Sequence, residues 1–195
     1  ALYGLSLYLA PPALAARDAD TTTRPLFEPG REYHIQTDNP MIGTRSFNLY
    51  VPRDYTDDRD WPVIFRYKGR GDRYNPIICR GGRSITCDRG AIIMGMAYVK
   101  SPSERMTTPE YIESIRAQWR CIREAKNLIS KHLRIDDDRL FISGSSAGGW
   151  LATNLLEYDA QPWAGAMVFV AGVHPSAALL TNRRSISAFP GLPVF

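Results

Sequence analysis

Cysteine is scarce in this 195-residue chain: Cys79, Cys87 and Cys121 are the three, with no Cys-x-x-Cys and no His-x-x-x-His pair. That excludes the common structural zinc frameworks, which need ligands at such spacings to close a tetrahedron. No metal and no cofactor is expected. A long apolar run is also lacking. The first sixteen residues come nearest, but they are short and broken by Pro11-Pro12, so no membrane span is expected. Charge of a single sign is missing too. The 24 Lys and Arg are interspersed with 20 Asp and Glu for a net +4, with no basic stripe and no reading motif, which argues against nucleic acid as a partner. There is no internal repeat and no low-complexity tract. What remains is a globular chain with room for one sizeable core.

The ends of the leader are informative. Ala13-Leu14-Ala15 has the small-x-small form of a signal-peptidase site, and a polar run begins at Arg17. Residues 1–16 therefore read as part of a signal peptide without its basic start, or as an apolar arm; the first reading implies a secreted or periplasmic protein. In an oxidising compartment Cys79 and Cys87, which flank a Gly-rich loop, can close a small disulfide ring. Cys121 falls in a helical pattern and reads as a small buried hydrophobe. Residues 17–31, with Thr21-Thr22-Thr23-Arg24-Pro25, read as a linker, and 32–195 as one domain.

Periodicity orders that domain. Strands are expected at 32–36, at 45–51 with Phe47, Leu49 and Val51 alternating, at 61–67, at 91–99 as a nearly unbroken apolar run, at 139–143 and at 164–170. Ile112, Ile115, Trp119, Ile122, Ile129 and Leu133 share one face of a helix starting near Pro109, with Thr108 as its N-cap, and a second helix runs to about Tyr158. Asp136-Asp137-Asp138 breaks the pattern between helix and strand. Hairpin-like strands followed by strand–helix–strand alternation give an α/β fold, a doubly wound and mostly parallel sheet. Such sheets bind ligands at the C-terminal ends of their strands.

Gly144-Ser145-Ser146-Ala147-Gly148 stands between an expected strand and an expected helix, and fits Gly-x-Ser-x-Gly. A serine on so tight a strand-to-helix turn needs neighbours without bulk two residues to either side. The register of Gly144 and Gly148 selects Ser146 over Ser143 and Ser145 as the nucleophile. The helix that follows aims its free N–H groups and positive dipole end at charge formed during acyl transfer.

With these residues the chain resembles the α/β-hydrolase superfamily, and is similar in texture to secreted esterases of the polyhydroxyalkanoate depolymerase and feruloyl esterase kind. The similar stretches are 45–55, 61–65 entering a Gly-rich loop, and 139–149. The resemblance implies a serine hydrolase that cleaves carboxylic esters through an acyl-enzyme on Ser146. It also implies an oxyanion loop, His-Gly-x-Gly in the family and Lys68-Gly69-Arg70-Gly71 in this chain, in which the backbone N–H of Arg70 joins that of Ala147. Losing one such donor costs about 3 kcal/mol of barrier. The arginines around this loop (Arg66, Arg70, Arg73, Arg80, Arg83 and Arg89) read as a solvated, charged loop rather than an anion site, and Trp150 as helix packing.

The family next requires a carboxylate and then a histidine, because serine without a neutral imidazole is a poor nucleophile. Neither follows in that order before Phe195. His34 points away along the first strand, His132 ends a helix, and His174, though at the sheet end, breaks the family's order. The chain is therefore expected to be a fragment truncated at its C-terminus, poorly soluble and inactive alone, of a parent enzyme acting on a small or polymeric ester. Two rivals stand beside this: a peptidase or acyltransferase of the same fold, and a non-catalytic binding module lacking a triad.

Overall fold

The computed structural model describes residues 5–8, 26–39, 43–69, 86–100 and 107–169. They form strands β1 (Leu5–Tyr8), β2 (Glu32–Asn39), β3 (Gly43–Tyr50), β4 (Trp61–Tyr67) and β5 (Ile92–Met96), then helix α1 (Thr108–Ile129), β6 (Ile135–Ser145), α2 (Ala147–Tyr158) and β7 (Trp163–Phe169). The sheet order is β1-β2-β3-β5-β4-β6-β7. Pairing is antiparallel from β1 to β5 and parallel across β5, β4, β6 and β7. This is the α/β architecture expected from the alternation of elements. β5 lies on one side of β4 and β6 on the other, so the crossovers diverge at β4, the kind of switch point at whose C-terminal end such sheets bind ligands.

Period-2 patterning decides which side of the sheet packs. Trp61, Val63, Phe65 and Tyr67 of β4 join Leu140 and Ile142 of β6 and Ile92 and Met94 of β5 in one core. Both described helices supply that core, α1 through Tyr111, Ile115, Ile122 and Ile129, α2 through Leu151, Leu155 and Leu156. Trp163 holds the layers together, with its ring edge-on to Phe65 at 5.7 Å and tilted against Trp119 at 5.5 Å. Burying an aromatic of this size contributes about 2–3 kcal/mol. Tyr50 and Ile93 are buried on the opposite face. Phe27, within the stretch read as a linker, is buried against Tyr33 and touches the ring of His132.

Besides β1 forming within residues 1–16 and β2 running on to Asn39, three details of the elements differ from expectation for a physical reason. The N-cap of α1 is Thr107, not Thr108. Glu110 decides this: it stands three residues after Thr107 and accepts that residue's backbone N–H at 2.8 Å, as a capping box requires. That bond holds the Glu110 carboxyl below its ordinary pKa. Second, Asp136, Asp137 and Asp138 do not interrupt the strand but begin it, because β6 starts at Ile135. Arg139 and Lys126 pair with Asp136 and Asp137 there. Third, β5 ends at Met96 rather than running to Val99, and Ala97–Val99 turns to meet α1. Cys121 is buried as expected, and burial pushes its thiol up to about 11. Cys87 is exposed with a free thiol; Cys79 lies outside the described residues.

Candidate active site

β6 ends beside this switch point and turns at once into α2. Ser146, at the turn, has φ 52° and ψ −123°. A side chain in this left-handed region costs roughly 1–3 kcal/mol unless surrounding structure enforces it. Ser146 is enforced from three directions. Its N–H donates to the Phe169 carbonyl at the end of β7 (2.9 Å), and the Trp150 N–H donates to the Ser146 carbonyl (3.0 Å). The flanking glycines close the turn. A Cβ on Gly144 would lie 2.1 Å from the Gly148 carbonyl oxygen, and one on Gly148 would lie 2.5 Å from that of Lys68. Nothing but glycine fits either position, which is the physical content of the Gly-x-Ser-x-Gly spacing.

Ser146 is exposed, and its hydroxyl makes no capping bond to the helix it begins. The first N–H groups of α2, that of Ala147 among them, are therefore left without a cap from the Ser146 side chain. Across the turn lies the chain leaving β4. The Cβ position of Gly69 is 3.5 Å from the Ser146 Cβ and 3.6 Å from the Ser145 carbonyl oxygen. The structure thus brings Gly144, Ser146, Ala147 and Gly148 together with the Lys68–Gly69 loop. Arg70 and Gly71 lie outside the described residues, as do Arg73, Arg80, Arg83 and His174.

Two of the three histidines are described, and neither reaches the turn. His34 sits on β2, where its Nδ1 meets Asn48 Oδ1 at 2.8 Å while Asn48 Nδ2 donates to Glu32 at 2.9 Å. His132 lies just past the C-cap of α1, with its ring edge-on to Phe27. Trp150, expected to pack, is 38% exposed one helical turn beyond Ser146.

Polar residues that sequence reasoning passes over surround the site. Gln118, 1% exposed on the inner face of α1, donates to the Tyr67 hydroxyl (3.0 Å) and the Ala97 carbonyl (3.1 Å), and accepts the Val99 N–H (2.8 Å). Tyr67 stacks on Tyr98, whose hydroxyl donates to the Lys68 carbonyl. Burial holds the Tyr67 phenol well above its ordinary pKa, so it stays neutral. On the other face Arg66 donates to Ser143 Oγ at 2.9 Å, its guanidinium lowered from the ordinary arginine value by burial. Among these, Gln118 carries a signal in sequence: an amide among apolar residues on the buried stripe of a helix.

A sheet parallel at its centre, a crossover reversal at β4 and a strained serine between β6 and α2 define the α/β-hydrolase fold, and solved structures agree. A thermostable esterase matches with a TM-score of 0.60 and 17% identity, covering 84% of this chain and 45% of that one. A ferulic acid esterase from Anaeromyces mucronatus matches at 0.53 and 15%, covering 79% and 62%. The fluorophosphonate-binding serine hydrolase F of Staphylococcus aureus matches at 0.53 and 14%, covering 72% and 56%. The chain thus spans roughly half of each of these proteins, and at such identities the likeness is one of fold. No family model and no curated protein matches the sequence.

Proposed function

We propose that Ser146 is the nucleophile of a carboxylic-ester hydrolase. The observation that carries this reading is its backbone: φ 52° in a non-glycine residue, walled by two glycines that admit no side chain, at a helix start beside Gly69. Strain of this kind persists where it serves a site. In the proposed reaction Ser146 Oγ attacks the ester carbonyl carbon as its proton passes to an imidazole. The carbonyl oxygen, now carrying the charge, is held by backbone N–H groups of Ala147 and Arg70. Collapse expels the alcohol, which takes the proton, and leaves the acyl group on Ser146; water reverses the sequence and releases the acid. By the resemblance that imidazole is in turn oriented by a carboxylate.

Export remains part of the proposal. Cleavage after Ala15 would remove β1, leaving the edge of β2 that now pairs with it uncovered. N-terminal sequencing of the mature protein decides this.

The function is tested in the protein expressed with whatever follows Phe195 in its gene. A fluorophosphonate probe is expected to label Ser146 alone, and Ser146→Ala to lose both labelling and turnover of a p-nitrophenyl ester, by at least about 10⁴-fold. An adduct elsewhere, or turnover surviving in Ser146→Ala, would refute the assignment. Ester, thioester and peptide donors offered in parallel separate hydrolysis of esters from the peptidase and acyltransferase alternatives.

A further inference from the structure

We infer that Tyr98, held in place by Tyr67 and Gln118, is a positioning residue for the loop that leaves β4 beside the nucleophile. The inference rests on the proposed role of Ser146 and adds a residue that the Gly-x-Ser-x-Gly pattern does not contain.

The sheet itself stops short of this loop. Pairing of β4 with β5 ends at Arg66 opposite Gly95, and pairing with β6 ends at Tyr67 opposite Gly144. The Lys68 carbonyl is therefore the first one past both ladders, where a side chain can serve as donor. The Tyr98 hydroxyl does so. A peptide unit is planar, so fixing the Lys68 oxygen also fixes the Gly69 N–H on the opposite side. The same carbonyl also faces Gly148, in the elbow around Ser146, where an added Cβ would lie 2.5 Å from it. The loop is held between the elbow and a phenol.

The phenol is in turn built in. Tyr98 is 5% exposed, and its ring stacks on Tyr67 at 5.8 Å. The Gln118 amide ties the Tyr67 hydroxyl to the Ala97 carbonyl and the Val99 N–H on either side of Tyr98. One buried side chain of α1 thus couples the ends of β4 and β5. Oxyanion donors act through placement: a displacement of about 1 Å is enough to cost on the order of a hundredfold in rate.

Tyr98→Phe keeps the ring stack and removes the donor. In protein whose wild type turns over and whose Ser146→Ala variant is dead, Tyr98→Phe is expected to lower kcat about ten- to a hundredfold with KM within threefold. A boronic acid, whose tetrahedral adduct on Ser146 bears an oxyanion, is expected to bind more weakly by the same factor as the loss in kcat/KM. A merely structural role would lower the melting temperature without that parallel. Should Tyr98→Phe not accumulate, Tyr67→Phe, which removes the acceptor for Gln118, reads the same effect, and a kcat loss of threefold or more supports the role. Wild-type kcat and boronate affinity in whichever variant folds would overturn the inference while leaving Ser146 as nucleophile. Turnover surviving in Ser146→Ala would overturn the underlying function instead.

Discussion

The two ends of β4 and β6 are built to opposite rules. At their N-terminal ends Trp61 is fully buried, donates from its indole to the Thr56 carbonyl at 2.8 Å, and carries Arg59 over its ring at 3.9 Å. Arg134 donates there to Asp60 at 2.8 Å, and its N–H reaches the Tyr55 hydroxyl at 2.9 Å. Lys126 pairs with Asp137 at 2.6 Å. Large rings and charge pairs close that end of β4 and β6, although Cys87 and Asp88, in the segment entering the neighbouring β5, also take positive φ, 51° and 63°. The C-terminal ends, a few residues away along the same strands, carry bare glycines, a serine at positive φ and a carbonyl that accepts from a side-chain hydroxyl. The same two strands are thus closed by bulk and charge at one end and by bare glycines around a strained serine at the other, and the second end is where chemistry is proposed.

Substitutions sharpen the contrast. The largest effect is expected for Gly144→Ala, whose methyl would meet the Gly148 carbonyl at 2.1 Å; repacking the elbow costs on the order of 3 kcal/mol and abolishes fluorophosphonate labelling. Next is Ser146→Gly, which relieves φ 52° and is expected to stabilise the fold by about 1 kcal/mol while removing all turnover. A lower urea midpoint for this variant would break the claim that the elbow is strained. Smallest is Lys126→Met at the opposite end, an exposed pair worth about 0.5 kcal/mol, with kcat unchanged. A loss of kcat there would show that the two ends are coupled rather than independent.

Much of this is legible in the residues themselves. Trp61–Tyr67 follows its hydrophobic pattern residue by residue, and Gly144 and Gly148 pick out Ser146 because sterics at a tight turn are local. What is not legible is long-range. Gln118 bonds residues 19, 21 and 51 positions before it. No short window along the chain contains both the amide and its partners. Thr107 and Thr108 are equally good caps by residue type, and the reach of Glu110 alone separates them. Asp136–Asp138 suggest a break because charge usually marks a loop; β6 instead extends past its covered core, where Lys126 and Arg139 meet the acids. The elbow is local and therefore written in the sequence, whereas the clamp on the facing loop exists only once the sheet has assembled.

Serine is among the residues that most often finish a helix start, yet Ser146 leaves that task undone, its hydroxyl making no bond to α2. Under the proposed chemistry the reacting carbonyl takes up the role, and its growing negative charge completes the helix for the lifetime of the tetrahedral species. The helix is then best satisfied at the moment the bond is changing, and a stable protein-supplied cap in that place would be a permanent inhibitor.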